Sequence, residues 1–163
     1  MAHTRIRAII ATAILRDDHR KVKELFTQYE KIGDVASGDS RLELFLEIRK
    51  ELSVHSDIEE EIFYPAIESL RSKDEEAGNV VREAREQHQE VRTLLDELGE
   101  LKPEDEEFDD LMKTLIESVT DHADKEEEQI FPYFDELSRD ERVRVSDELR
   151  NRKAELTEEY GEE

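Results

Sequence analysis

An all-α fold, an up-down-up-down four-helix bundle with an additional short C-terminal helix, is expected from three features of this 163-residue sequence. Apolar residues recur at helical spacing, as in Ile6, Ile9 and Ala13, then Leu15, Val22, Phe26 and Tyr29, so each segment carries one apolar face. Gly and Pro number only five and three, and no stretch sustains strand-like alternation. The interruptions are short, which favours antiparallel neighbours.

The first helix is expected near 4–32, closed by the loop from Gly33 to Asp39. Ser40 and Glu43 have capping-box spacing and open a second helix over 40–71. Ser72 and Glu75 repeat that spacing before a third helix over 74–99, whose first turns Gly78 weakens. Gly99 to Pro103 end it, and the acidic run Glu104 to Glu107 suits the positive end of a fourth helix, 104–137. Ser138 and Glu141 form a third capping pattern, opening a helix near 139–158. The expected division is a bundle over 1–138 and a C-terminal helix with an acidic tail over 139–163, packed on or beside it in a monomer or homodimer.

Composition narrows the function. Hydrophobic residues make up 36% and charged residues 43%, so the core is narrow and the surface heavily ionised. With 24 Lys and Arg against 46 Asp and Glu, the net charge is −22, which argues against nucleic acid and anionic membrane surfaces as partners. Cysteine is absent, which excludes disulfides and every thiolate metal site. The stretch from Ala8 to Leu15 faintly imitates an export core, but Ala11-Thr12-Ala13 lies inside it, and no run approaches the roughly 20 residues of a membrane span. The reading is a soluble cytoplasmic protein.

The stronger signal is an internal repeat. The stretch from His55 to Pro65 aligns without a gap on that from His122 to Pro132, matching His55 and Glu59 with His122 and Glu126. Upstream, His19 lies 36 residues before His55, and His88 lies 34 before His122. Residues four apart share a helix face about 6 Å apart along the axis, so each repeated histidine and its glutamate aim the same way. His19 lies on the Leu15, Val22 and Phe26 stripe, and His88 on the Val81, Ala84, Val91 and Leu95 stripe. Counted along the helices, the four histidines fall near one height. The last hairpin fits worse, 11 residues against 18, unless its second helix starts late.

Four imidazoles and two carboxylates in a narrow core are costly unless a cation pairs with them. Imidazole with carboxylate suits iron, manganese or zinc, and six ligands exceed one tetrahedral zinc. Two metals bridged by Glu59 and Glu126, each with two histidines and an oxo or hydroxo bridge, satisfy the count and leave an open position on each. The ferritin-like Glu-x-x-His order is not present, and haem needs no carboxylate cluster.

The order His19, His55-x-x-x-Glu59, His88, His122-x-x-x-Glu126 resembles the hemerythrin-like, HHE cation-binding domains over the span from the first helix through Pro132. The resemblance implies a four-helix bundle holding a non-haem di-iron centre with these six residues as metal ligands. It departs from oxygen-carrying hemerythrins, which have a fifth histidine where this chain has Arg92 and end on a longer His-to-Asp spacing. The chain is more similar to the bacterial four-histidine subgroup, for which peroxide breakdown and nitric oxide chemistry are implied. The expected ligand is therefore peroxide, dioxygen or nitric oxide, with an iron or oxygen sensor, store or carrier as the non-enzymatic alternative.

The remaining chemistry-bearing residues have plainer readings. His3 reads as surface. Glu60, Glu61, Glu127 and Glu128 read as a solvated face, with Glu60 or Glu127 as the alternative ligand to its neighbour. Pro65 and Pro132 read as kinks or breaks. Tyr29, Tyr64 and Tyr133 read as core or rim aromatics, with a place near the metals as the alternative, and no side chain stands out as a separate acid or base.

Overall fold

A computed structural model describes residues 10–33 and 38–161. His3, the expected helix start at residue 4, and Asp34 to Ser37 of the first loop lie outside the described residues. Helix α1 spans Ala11–Ile32 and stops at Gly33, whose φ of 45° suits a residue without a side chain. Helix α2 spans Gly38–Ile58, so Ser40 lies inside the first turn rather than at the cap. The place a Cβ would take on Gly38 is filled by the Glu104 carboxylate.

The second helix is not one continuous element. After α2 the backbone widens into a π turn over Glu59–Phe63, then resumes as α3, Tyr64–Glu68, and a 3₁₀ turn, Ser69–Ser72. Pro65 accounts for the break, since its ring clashes with a helical carbonyl four residues back and it has no N–H to donate. Helix α4, Glu75–Glu100, is capped by Asp74, whose carboxylate accepts from the Glu76 N–H; Ser72, the expected cap, sits in the 3₁₀ turn instead. A carboxylate at this end also opposes the helix dipole, which a serine does not.

Helix α5, Glu106–Gln129, starts two residues later than expected, which brings His122 closer in height to His88. Before Pro132 it breaks, and α6, Phe131–Phe134, is a single turn. Helix α7, Arg139–Gly161, begins on the anticipated capping box, with Ser138 Oγ accepting from Glu141 N–H and donating to its carboxylate. It runs past the expected residue 158. Among the described residues there is no strand, and no helix is long and apolar enough to cross a membrane.

Helices α1, α2–α3, α4 and α5–α6 form the antiparallel bundle, and α7 packs against α1 and α2. Val145, Leu149 and Leu156 of α7 join the core at one end, with Leu15, Phe63, Tyr64, Ala84 and Phe131. A second apolar cluster, around Val22, Phe26, Phe45, Leu52, Leu95 and Phe108, fills the other end. Ser146 also accepts from the N–H of Ala11, which no side chain of its own segment caps. Leu149 is fully buried, so Leu149→Ala should cost about 2–5 kcal/mol. Urea denaturation measures this, and a loss below about 1 kcal/mol would make α7 peripheral to the core.

Candidate metal centre

Between the two apolar clusters lies a polar layer. His19, His55, Glu59, His88, His122 and Glu126 are all buried, with Glu59 and Glu126 at 0% and 1% exposure. They come from α1, α2, the π turn, α4 and α5, and resolve into two quartets. His19 and His55 form one with Glu59 and Glu126; His88 and His122 form the other with the same two carboxylates. Within each quartet, one potential ligand atom per residue lies within 4.8 Å of all the others.

The first quartet places His19 Nε2 3.0 Å from Glu126 Oε1 and His55 Nε2 3.1 Å from Glu59 Oε1. In the second, His88 Nε2 is 3.1 Å from Glu59 Oε1 and His122 Nε2 is 3.5 Å from Glu126 Oε2. The two oxygens of Glu126 thus face different quartets. His19 Nε2, His55 Nε2, Glu59 Oε2 and Glu126 Oε1 are buried without any hydrogen-bond partner. Orphaned acceptors of this kind cost about 1–3 kcal/mol each, and a hard or borderline cation is what pairs imidazole nitrogen with carboxylate oxygen. These residues fit a metal.

Each imidazole is held from behind through Nδ1. His19 Nδ1 donates to Glu127 Oε2 at 2.7 Å, His55 to Asp18 Oδ2 at 2.8 Å, His88 to Glu60 Oε2 at 2.7 Å and His122 to Gln87 Oε1 at 2.5 Å. A proton on Nδ1 leaves the Nε2 lone pair free to face the centre, the arrangement common behind metal-binding histidines. This corrects the solvated-face reading of Glu60 and Glu127, which turn inward to orient His88 and His19. Asp18 and Gln87 carry the same role and were not anticipated. The available signal was adjacency: each precedes a histidine of the repeat, as Glu60 and Glu127 each follow a glutamate. Arg92 stands 2.5 Å from Glu60, and Lys153 of α7 stands 2.6 Å from Asp18.

Tyr64, named in the sequence among the aromatics that could lie near the metals, is fully buried beside the carboxylates. Its hydroxyl donates to Glu126 Oε2 and lies 3.2 Å from both Glu59 Oε1 and His88 Nε2. The Pro65 break places it there, at the foot of the π turn. Burial, together with the charges of Glu126 and Glu59, pushes its ionisation well above the usual range, so it stays a proton donor.

The other ionisations follow from the same crowding. Burial alone would lower His55, but Glu59, Asp18 and Glu126 hold it well above its ordinary value. Burial likewise opposes the proton on His88, yet Glu59 and Glu60 raise its pKa to about 9. Burial would raise Glu60, while His88 and Arg92 bring it down to about 2. Glu126 resists its burial in the same way: contacts with Glu59, His122, His19 and His55 hold it well below the usual range. A cavity of about 20 Å³ adjoins all four imidazoles, walled by Val22, Leu52, Val91 and Val119. That is room for one molecule of about water size.

Residues 10–134 match the family model described as hemerythrin HHE cation binding domain. The chain is 30% identical over 118 residues to a DNA nickase of Nostoc sp., covering 72% of this chain and 31% of that protein. It is 28% identical over 138 residues to an uncharacterized hemerythrin-like protein of Schizosaccharomyces pombe, covering 84% of this chain and 65% of that one. The chain therefore spans less than two thirds of either relative. In fold it is similar to a hemerythrin HHE cation binding domain-containing protein from Mycobacterium kansasii, with a TM-score of 0.76 over 92% of this chain and 88% of that one, at 21% identity.

With metal stripped by a chelator, protons are left to balance the carboxylates. His88 titrates at about 9 in the fold against an ordinary 6.5. Its contribution to stability is therefore complete below about pH 6.5 and is lost as the pH rises through about 9. Urea denaturation of chelator-treated protein between about pH 6 and 9 should show stability falling with pH, and Glu60→Gln should flatten that fall. A stability that rises over this range would contradict the assignment.

Proposed function

Because the chain belongs to the hemerythrin HHE cation binding domain family, we propose that it is a non-haem di-iron protein that binds and turns over a small oxidant. Peroxide, dioxygen and nitric oxide are the candidates, and catalase-like decomposition of peroxide is the favoured reaction. His19 and His55 would hold one iron, His88 and His122 the other, with Glu59 and Glu126 shared between them. The observation that carries this reading is the pair of quartets sharing two carboxylates.

When bound, the irons supply electron equivalents and open positions for a small ligand. The chain's own residues do the rest. Asp18, Glu60, Gln87 and Glu127 hold the imidazoles in one tautomer and orientation. Val22, Leu52, Val91 and Val119 restrict the adjoining space to a ligand of a few atoms. Converting two peroxides to dioxygen and two waters requires protons to be moved between oxygens. Tyr64 holds a proton on its hydroxyl at the edge of both carboxylates, within reach of that transfer.

A second reading is favoured by one contact. Lys153 ties α7 to Asp18 and through it to His55, so a non-enzymatic sensor could report occupancy of the centre through that helix. The activity in the name of the Nostoc relative is not carried over, because the chain spans 31% of that protein and a net charge of −22 opposes DNA phosphate.

Metal analysis of protein expressed with iron should find about two irons per chain, with oxygen released from added peroxide. Protein that takes up iron but releases no oxygen would favour the sensor. Glu59→Ala and Glu126→Ala should each lower iron content, since each removes a donor from both quartets. Full loading in both variants would sink the assignment. Tyr64→Phe should retain iron and lose roughly 10²-fold in peroxide turnover; unchanged turnover would remove Tyr64 from proton transfer.

A further inference from the structure

We propose that the two metal positions are unequal: the His19/His55 position fills first and holds its ion at least about tenfold more tightly than the His88/His122 position. This rests on the di-metal reading above. A ligand set of two histidines and two shared glutamates on each side gives no such ranking; the difference lies in what surrounds the two pairs.

The first observation is which donor atoms are free. The four buried atoms without hydrogen-bond partners come one each from His19, His55, Glu59 and Glu126. Neither histidine of the other quartet contributes one. His88 Nε2 instead lies 3.2 Å from the Tyr64 hydroxyl and 3.2 Å from His122 Nε2.

The second is the break in the repeat. Tyr64 precedes Pro65 as Phe131 precedes Pro132. Phe131 stacks on the His19 ring at 5.8 Å, with planes 6° apart. Tyr64 tilts against His88 at 5.3 Å and puts a hydroxyl on Glu126 Oε2, the oxygen facing His122. A cation between His88 and His122 competes with that hydroxyl for the same donors. One between His19 and His55 keeps Glu126 Oε1 and Glu59 Oε2 clear of it, the hydroxyl reaching only Glu59 Oε1 on that side.

The third is the charge behind the rings. Glu127 and Asp18 back the first pair, and Lys153 offsets one of them, leaving one net negative charge. Glu60 and Gln87 back the second pair; Arg92 offsets Glu60 and the amide is neutral, leaving none. A carboxylate accepting from Nδ1–H raises the donor strength of Nε2 more than an amide does, and outer partners of this kind change metal affinity by about 10–100-fold.

The test is an anaerobic titration of the metal-stripped full chain with ferrous ion, followed by calorimetry and by assigned histidine ring NMR signals. The expected result is two steps at least about tenfold apart, with the His19 and His55 signals lost in the first. Gln87→Glu and Tyr64→Phe should each strengthen the second step and leave the first in place. A single step of two equivalent ions, or loss of the His88 and His122 signals first, overturns the proposal while leaving a di-metal centre standing. A second step unmoved in both variants overturns it as well. No uptake of ferrous ion would fell this proposal and the di-iron reading together.

Discussion

Burying four imidazoles and two carboxylates at one level of a narrow bundle is the constraint from which the rest of the structure follows. Such a layer interrupts the hydrophobic core, so the apolar residues fall into two clusters, one on each side. Neither cluster is large in a chain that is only 36% hydrophobic. The cluster that contains Tyr64 is completed by the turn at Phe131–Phe134 and by the long α7. The polar layer is tolerable because each ring nitrogen facing outward has a defined acceptor, while those facing inward converge on shared oxygens.

The duplicated design explains how so many polar groups reach one level. A hairpin that supplies two histidines and one glutamate, used twice in antiparallel fashion, puts the two glutamates between the two histidine pairs. The buttressing obeys the same rule, since the residue before each upstream histidine supports the partner helix in its own hairpin. The residue after each glutamate supports the opposite hairpin. Departures from the duplication, Tyr64 against Phe131 and Asp18 against Gln87, are the places where the two halves acquire different chemistry.

The fold and the central residues were legible because both rest on periodicity. Histidines on apolar stripes and a gapless repeat need no tertiary information to be placed on the inner face of a bundle. Ser138 could be read as a cap because its partner lies three residues away. Asp74 displaced the expected Ser72 because two capping residues compete within one turn. What periodicity hides is the tilt of side chains on the boundary of a face. Glu60 and Glu127 lie about 100° round from the inward glutamates, which on an isolated helix reads as solvent. In the bundle that same direction meets the neighbouring helix, and His88 and His19 are there to meet them. The hydroxyl contacts of Tyr64 were hidden differently, because they depend on the π turn, and a count of 3.6 residues per turn cannot anticipate a turn that is wider.

The contacts of α7 have a consequence in time. Lys153 reaches back across 135 residues to Asp18, and Ser146 reaches back as far to Ala11. A nascent chain presents all six central residues by Glu126, well before either of these contacts can form. Until α7 has cleared the ribosome, Asp18 leans on His55 without Lys153, and the first turn of α1 lacks the acceptor that Ser146 supplies. Assembly of this bundle is therefore completed by α7, with α1 waiting on a helix made long after it.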